Sequence, residues 1–405
     1  MANSAFPSAS RRSFLTLSAA ATAATALRIV TEPILAHAAA PAIVSRGGIM
    51  INANENPLGP CASAREAVAA IIPQGGRYSF YLTDDLTKQY ADLMGLHPDY
   101  IRFYPGSSGP LHYAVAVFCS PQRSYVTADP GYEAGATAAE AVHARVVKVP
   151  LAKEKAYAHD VHAMLAAAPD AGLFYIANPN NPTGTVTSHA DIEYLVENKP
   201  KDSIVMVDEA YIHFCDVESA LDLVKAGKDV LVLRTFSKIY GMAGLRCGVA
   251  IGKPELLKKI DDYSGWNFNP VTALVAASAS LKDAQVVPER KRINTEVRTR
   301  VFGWLDSNGY SYVPSQSNCF MLETKRPGNE TIAAMAKQHV YIGRIWPAWP
   351  THVRITVGTG DEMEQFQTAF RKVMSGAVTA SLTGWNQTGN RKAQVLQSGE
   401  LPVRA

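Results

Sequence analysis

Short apolar runs of strand length recur along the middle of the chain, separated by segments with helical spacing. The runs are rich in Val, Ile, Leu and Tyr and predict strands at Ile101–Phe103, Ser124–Ala128, Val146–Val149, Leu173–Ala177, Ile204–Val207, Val230–Leu233 and Cys247–Ile251. Because apolar residues fill consecutive positions rather than alternate ones, we expect a sheet that is buried on both faces.

Helical patterns lie between these runs. One helix face, with the spacing i, i+3, i+4, i+7, is formed by Leu111, Ala114, Val115 and Phe118. Ser188, followed three residues later by Asp191, is typical of a capping box at the start of a helix through Leu195. Alternating strands and helices predict an α/β fold, in which a mainly parallel sheet lies between two helical layers (αβα).

A second pattern begins near Arg290. Helical segments at Lys291–Leu305 and Asn329–Gln338 alternate with strand-like segments at Ser311–Pro314, Cys319–Glu323 and Val353–Val357, which predicts a smaller α+β domain. The last residues are rich in Gly, Ser, Gln and Asn and predict a mobile tail. We expect an N-terminal arm that includes part of the small domain at 39–75, a large domain at 76–289, a small domain at 290–376 and the tail at 377–405.

The N-terminus has the pattern of an export signal. Ser10-Arg11-Arg12-Ser13-Phe14-Leu15 resembles the bacterial twin-arginine signal, and an Ala-rich stretch leads to Ala36-His37-Ala38. We therefore predict a signal peptide at 1–38, the twin-arginine translocase as a partner, and a periplasmic or secreted location. The alternative is that the segment is retained in a cytosolic protein.

Composition excludes several classes of protein. Hydrophobic residues make up 47% of the 405 residues and charged residues 19%, which is typical of a globular chain. Lys and Arg number 39 against 36 Asp and Glu, a net charge of +3, and no basic stripe indicates a nucleic-acid partner. None of the five Cys forms a CxxC pair, so we predict no metal site.

Polar motifs follow several of the predicted strands. Lys238, in Thr235-Phe236-Ser237-Lys238, comes soon after Val230–Leu233. A lysine amine in this setting can form a Schiff base with an aldehyde cofactor, and the nearby hydroxyls and Arg246 are phosphate ligands in type. The alternative is an ordinary surface lysine in a glycine-rich loop.

Asp208 follows the strand Ile204–Val207 directly, and Tyr211 lies three residues further on. A carboxylate here can pair with a protonated pyridine nitrogen, and the tyrosine can donate a hydrogen bond to a phenolic oxygen. A strand-end aspartate that caps a helix is the simpler alternative.

Three further loops carry candidate cofactor contacts. The string from Asn178 to Gly184 contains two Asn-Pro steps and predicts a turning loop from which an amide can face a ring. Gly106-Ser107-Ser108, at a predicted helix start, is typical of an anion site. Tyr132 can stack on an aromatic cofactor, or can pack on the core as a loop aromatic.

The order of these motifs is specific. NENPLG, GSS, DPGY, NPNNPTG, DEAY, SK…GLRCG and RITVGT together resemble the fold-type I, class I/II pyridoxal-phosphate-dependent aminotransferases. The nearest branch is that of the histidinol-phosphate aminotransferases, and the resemblance runs from about Asn52 to about Gly360.

The resemblance implies a role for each matching residue. Lys238 is implied to hold pyridoxal 5'-phosphate covalently and to move the proton, Asp208 to pair with the ring nitrogen, and Tyr211 with Asn181 to bind the phenolic oxygen. The implied phosphate ligands are Ser107, Ser108, Thr235, Ser237 and Arg246, joined by Tyr78 from the partner subunit of a homodimer, while Tyr132 stacks on the ring. On the substrate side, Arg354 is implied to bind the α-carboxylate, beside Arg344 and Asn56.

We therefore predict an exported transaminase that passes an amino group between an amino acid or amine and a 2-oxo acid. The alternatives are a lyase, decarboxylase or epimerase on the same fold, or a histidinol-phosphate aminotransferase if the signal is not used. The segment Ile345–Pro350 contains two Trp and two Pro and predicts a rigid apolar wall of the substrate pocket, which argues against histidinol phosphate.

Overall fold

The computed structural model describes residues 47–265 and 268–376. The predicted signal peptide at 1–38 and the predicted tail at 377–405 lie outside the described residues. Within the described ranges the chain forms eleven strands: β1 (Ile49–Ile51), β2 (Ile101–Tyr104), β3 (Ser124–Asp129), β4 (Val146–Pro150), β5 (Ala171–Ala177), β6 (Ile204–Asp208), β7 (Val230–Thr235), β8 (Gly248–Gly252), β9 (Cys319–Glu323), β10 (Val340–Ile342) and β11 (His352–Thr356).

Seven of the strands form one sheet in the order β2-β8-β7-β6-β5-β3-β4. Neighbouring strands from β4 to β7 are parallel, whereas β8 runs antiparallel to both β7 and β2. This mixed, mainly parallel sheet confirms the predicted α/β fold. The register places Ala177 beside Asp208, so the carboxyl ends of β5 and β6 lie level with each other.

The same described ranges contain the α-helices α1 (Ala62–Ile71), α2 (Tyr81–Met94), α3 (Ser108–Phe118), α4 (Ala134–Ala141), α5 (Val161–Ala167), α6 (His189–Asn198), α7 (Leu221–Lys225), α8 (Pro254–Ser264), α9 (Val271–Lys282), α10 (Val286–Ser307), α11 (Gly328–Ala336) and α12 (Gly360–Met374). None of these helices combines the length and the apolar content that a membrane span requires.

Helices cover both faces of the seven-stranded sheet. Along β5, Phe174 and Ile176 pack into the core shared with α2 and α9, whereas Leu173 and Tyr175 pack into the core shared with α3 and α8. This alternation follows from the two-residue repeat of a strand. Because both faces are covered, functional groups are accessible mainly at the strand ends.

The C-terminal part has its own apolar core. Here β9 pairs with β11 antiparallel, β1 pairs with β10 in parallel, and α10 and α12 contribute buried side chains. Helix α12 begins with a capping box, in which Thr359 and Glu362 satisfy each other's backbone N–H groups. The domain boundaries given above stay a prediction.

The structure differs from the sequence-based expectations in a few elements. Ser311–Pro314 is not a full strand: Tyr312 forms an isolated bridge with Leu322, flanked by two backbone hydrogen bonds in which Val313 N–H donates to the Met321 carbonyl and Glu323 N–H donates to the Ser311 carbonyl. Helix α10 begins at Val286 rather than Lys291, because Pro288 lies in its first turn, where a missing N–H costs nothing. The Ser188 hydroxyl caps α6 by accepting from the backbone N–H of Asp191. The predicted capping box is incomplete, because the Asp191 carboxylate accepts from the Ser188 hydroxyl rather than from the Ser188 backbone N–H.

Candidate active site

A cavity of about 420 Å³ lies at the carboxyl ends of the parallel strands. Such strand ends are where open α/β sheets bind ligands. The cavity brings together nearly all of the residues that the sequence analysis singled out, from segments up to 247 residues apart: Ser107, Ser108, Tyr132, Asn181, Asp208, Tyr211, Thr235, Ser237, Lys238, Arg246, Arg344 and Arg354.

Two predicted site residues do not line this cavity. Tyr78 is 69% exposed and contacts the rings of Phe80 and Phe268. The side-chain amide of Asn56 donates to the carbonyl of Ile239, the residue after Lys238, at 3.0 Å. Asn56 thus supports the lysine loop from outside the cavity, and its predicted contact with the substrate stays untested, as does the contact of Tyr78 with a partner subunit.

Five further residues line the cavity that the sequence motifs do not indicate as site residues, namely Asn52, Ala53, Tyr175, Ala177 and Ala210. Tyr175 could have been found from the strand repeat, because it lies two residues before the end of β5 on the same side as Ala177. Asn52 and Ala53 precede the NENPLG motif, which gave no reason to choose them over their neighbours.

Asp208 is buried at the end of β6 and has a hydrogen-bond partner on each oxygen. The Tyr175 hydroxyl donates to Oδ2 at 2.7 Å, and the Ala210 backbone N–H donates to Oδ1 at 3.1 Å. Burial raises the pKa of this carboxyl above its ordinary value, and the two hydrogen bonds act in the opposite direction. Among the described residues that line the cavity, Asp208 is the only carboxylate.

Lys238 carries an amine suited to nucleophilic chemistry. Burial, with a smaller contribution from the positive charge of Arg354, lowers the pKa of its amine to about 8. Its Nζ donates to the backbone carbonyl of Asn54 at 3.0 Å and lies 5.5 Å from the centre of the Tyr211 ring. A lysine with a lowered pKa is the activated form that Schiff-base chemistry requires.

Tyr211 and Asn181 lie on the side of the cavity that faces β11. Burial raises the pKa of Tyr211, so its hydroxyl keeps its proton and can donate. That hydroxyl accepts a hydrogen bond from Nδ2 of Asn54 at 3.0 Å. Asn181 Oδ1 accepts from Nη1 of Arg354 at 2.9 Å, which leaves the amide nitrogen of Asn181 as the group available to a ligand.

Hydroxyls and one guanidinium form an anion-binding corner at the start of α3. Ser107 and Ser108 begin this helix, and the Ser237 backbone N–H donates to Thr235 Oγ1 at 3.1 Å. The guanidinium of Arg246 lies so close to Gly106 that a Cβ at Gly106 would overlap it. Helix N–H groups, hydroxyls and a guanidinium are the donor set that binds a phosphate.

These groups fit pyridoxal phosphate. The corner at Ser107 and Arg246 supplies donors for a phosphate, and the carboxylate of Asp208 lies elsewhere in the same cavity, suited to a protonated ring nitrogen. The lowered pKa of Lys238 suits a link to the aldehyde. The donor chemistry therefore matches each polar group of the cofactor.

Two arginines line one part of the cavity. Arg354, on β11, donates from Nη2 to the carbonyl of Asn52 at 2.7 Å, and its buried Nε has no hydrogen-bond partner in the described part of the chain. Arg344 donates to Glu133 at 2.6 Å. Both guanidiniums lie against the indole of Trp346: the distance from Cζ to the ring centre is 4.7 Å for Arg344 and 5.5 Å for Arg354.

The predicted apolar wall of the substrate pocket is not present in the described structure. Trp346 is only 2% exposed, donates from its indole N–H to the carbonyl of Gly131 and supports the two arginines from behind. Trp349 packs on Tyr157 and His352. Neither tryptophan is among the residues that line the cavity. The part of the cavity that Arg344 and Arg354 line is therefore cationic, not apolar.

Comparisons with known proteins identify the family of the chain. The family described as aminotransferase class I and II matches residues 46–370. The histidinol-phosphate aminotransferase of Moorella thermoacetica is 32% identical over 341 residues, covering 81% of this chain and 86% of the relative.

Solved structures show the same fold. A structure from Erwinia carotovora atroseptica SCRI1043, provisionally described as a histidinol-phosphate aminotransferase, is 29% identical with a TM-score of 0.78, over 82% of this chain and 97% of that one. The Sinorhizobium meliloti histidinol-phosphate aminotransferase in complex with pyridoxal-5'-phosphate is 24% identical with a TM-score of 0.72, over 82% and 92%. Because the family match covers most of its length, the chain belongs to the class I and II aminotransferases, which are pyridoxal-phosphate-dependent enzymes.

Proposed function

We propose that the amino donor of this aminotransferase is histidinol phosphate and that the acceptor is a 2-oxo acid. The observation that carries the proposal is the pair of guanidiniums, Arg344 and Arg354, stacked on Trp346 at the substrate side of the cavity. The names of its relatives support the same substrate, and they favour this alternative over the broader interpretation that the sequence analysis put first.

The charges of the cavity favour a phosphorylated donor. Histidinol phosphate carries a phosphate monoester and no α-carboxylate, so its anionic end has more charge than a carboxylate. Planar guanidiniums bind phosphate through paired hydrogen bonds. Arg354 has a buried Nε without a partner in the described residues, and an unpaired buried donor is costly until an acceptor binds.

The chain's own residues divide the work of transamination. Pyridoxal phosphate, when bound, supplies the electron sink that stabilises the substrate carbanion. Asp208 provides the negative charge for the ring nitrogen, and Tyr211 keeps its proton for donation. With a pKa of about 8, the amine of Lys238 is able to take up and return a proton at Nζ near neutral pH.

Export is a separate proposal. It is supported by the Arg11-Arg12 motif in the sequence and competes with the histidinol-phosphate proposal, which the sequence-based alternative ties to a signal that is not used. The family match extends over residues 46–370 and so begins after the proposed signal.

The proposal is tested with the purified, cofactor-loaded enzyme and a panel of donors comprising histidinol phosphate, histidinol, histidine, phenylalanine and aspartate. Each is added without acceptor, and loss of the cofactor's visible absorbance is followed together with the carbonyl product. We expect histidinol phosphate to react with the highest second-order rate constant for this single half-reaction. Faster reaction of unphosphorylated histidinol, or of any amino acid in the panel, would contradict the proposal.

A variant separates the phosphate contact from the chemistry. Arg344→Gln removes one charged hydrogen-bond donor, and such bonds contribute about 1.5–3 kcal/mol, so kcat/KM for histidinol phosphate should fall about 10-fold to 100-fold. The rate with histidinol should not change, since it has no phosphate. The matched control is Arg292→Gln, on the exposed side of α10, where the arginine pairs only with Glu296 among the contacts described.

A further inference from the structure

We infer that Asn54 is a positioning residue for transamination, which acts by holding the hydroxyl of Tyr211 and the amine of Lys238 in place from one point. The inference concerns the cofactor side of the cavity and does not depend on the identity of the amino donor. Asn54 is buried, at 1% exposure, and is not one of the residues that line the cavity.

The side chain of Asn54 bonds directly to Tyr211. Its Nδ2 donates to the Tyr211 hydroxyl at 3.0 Å and to Cys319 Sγ at 3.1 Å. A tyrosine hydroxyl is both donor and acceptor, so a hydroxyl that accepts from Asn54 has its own proton free for the cavity. Accepting one hydrogen bond also strengthens the bond that the same hydroxyl donates.

The orientation of the Asn54 amide is set by Thr356. The Thr356 hydroxyl accepts from the Asn54 backbone N–H at 2.9 Å and donates to Asn54 Oδ1 at 3.1 Å. Because Oδ1 is engaged by this donor, the amide nitrogen must face Tyr211. The backbone of Asn54 has φ +54°, a conformation that asparagine tolerates better than most residues.

The backbone carbonyl of Asn54 engages the second group. It accepts from Lys238 Nζ at 3.0 Å and from the amide of Asn318 at 3.1 Å. The Tyr211 hydroxyl, beyond the end of β6, and the Lys238 amine, beyond the end of β7, are therefore both hydrogen-bonded to Asn54. Asn54 is itself held by β11 through Thr356. The other charged or titratable groups close to Tyr211 are Asp208, Lys238, Arg354 and Cys319.

Removing the amide should weaken the donation from Tyr211 to the phenolic oxygen of the bound cofactor. The negative charge on that oxygen is then less stabilised by hydrogen bonding, so the oxygen holds a neighbouring proton more tightly. The pH at which the cofactor's visible absorbance changes should therefore rise.

The test uses Asn54→Gly in the cofactor-loaded enzyme. Glycine adopts positive φ without strain and keeps the backbone carbonyl, so only the amide is lost. We expect the midpoint of the absorbance titration to rise by about 0.5–1 pH unit, the effect of one hydrogen bond of ordinary strength. Cys319→Ser is the matched control: it keeps an acceptor for Nδ2 and should leave the midpoint at the wild-type value.

A double-mutant cycle shows whether Asn54 acts through Tyr211. In a Tyr211→Phe background, Asn54→Gly should produce no further shift. An unshifted midpoint in Asn54→Gly, or an equal shift with and without the Tyr211 hydroxyl, would overturn the inference. If Asn54→Gly does not fold, Thr356→Val removes the hydroxyl that orients the amide: an upward shift then supports the inference, and a wild-type midpoint overturns it.

Discussion

Asp208 is subject to opposing influences at the scale of a single residue. Burial favours its neutral form, whereas the Tyr175 hydroxyl and the Ala210 N–H favour the carboxylate. A less basic carboxylate would leave the proton on the ring nitrogen of bound pyridoxal phosphate, which would strengthen the electron sink. Tyr175 therefore adjusts the chemistry of a group with which the sequence motifs do not associate it.

We predict that Tyr175→Phe lowers kcat/KM about 10-fold to 100-fold, since a hydrogen bond to a charged group contributes about 1.5–3 kcal/mol. Loss of this bond raises the pKa of Asp208 further. On the acidic side of the pH profile, activity falls as Asp208 becomes protonated, so this fall should occur at a higher pH in the variant than in the wild type. The measurement is a kcat/KM profile against pH.

Tyr125→Phe provides the control for this change. The Tyr125 ring lies 6.1 Å from the Tyr175 ring, and the hydrogen bonds to Asp208 come from Tyr175 and Ala210 rather than from Tyr125. Its profile should match the wild type, and Asp208→Asn should be slower than Tyr175→Phe. Equal profiles for Tyr125→Phe and Tyr175→Phe would show that packing, not the bond to Asp208, explains the effect.

At the scale of elements, the sequence predicts the strands and helices whose formation depends on local hydrophobic pattern. The seven sheet strands were predicted within two residues at each end, because each is a continuous apolar run between polar segments. Strands β1 and β10 were missed, since each has three residues and gains its hydrogen bonds only by pairing with the other. Asn54 was missed for a similar reason, because its partner Thr356 lies 302 residues away.

Strand β8 brings two loops of the anion-binding corner together. It lies antiparallel between β7 and β2, and a Cβ at its first residue, Gly248, would overlap the backbone of Gly106 and Ser107. We predict that Gly248→Ala lowers the free energy of unfolding by about 1–3 kcal/mol, the usual cost of overpacking, and weakens cofactor binding. Denaturant unfolding and cofactor titration measure the two effects.

Gly303→Ala is the control at this scale. Gly303 lies inside α10 with open space around it, so alanine should raise the free energy of unfolding by about 0.5–1 kcal/mol and leave cofactor binding unchanged. If Gly248→Ala is as stable as the wild type and binds the cofactor normally, the close approach of β8 to the Gly106 loop is not required.

At the scale of the whole molecule, an exposed aromatic cluster marks a candidate contact between subunits. Tyr78, Phe80, Tyr81 and Phe268 are each more than 40% exposed, and three of their rings lie 5.1–5.7 Å apart. Exposed apolar clusters of this kind are typical of interaction sites. The cluster fits the prediction that Tyr78 reaches the phosphate site of a second copy.

We predict a homodimer with shared active sites. Tyr78→Ala and Lys238→Ala chains, each impaired alone, should regain activity when unfolded together and refolded, because a mixed dimer contains one site with both side chains. Light scattering should show a dimer at micromolar concentration. Tyr194→Ala, an exposed aromatic on α6, is the control and should not impair the enzyme. A monomer, or no gain on mixing, would refute the shared site.

The bond between Asn54 and Thr356 also has a consequence for biosynthesis. Its two residues are 302 positions apart, and ribosomes add roughly 5–20 residues per second, so they are made about 15–60 s apart. Asp208, Tyr211 and Lys238 are added within that interval, and until Thr356 follows them the Tyr211 hydroxyl and the lysine amine lack the support of an Asn54 held by β11. Cofactor loading into the complete site therefore follows translation of β11, and a nascent chain arrested before this strand should not retain pyridoxal phosphate in its native geometry.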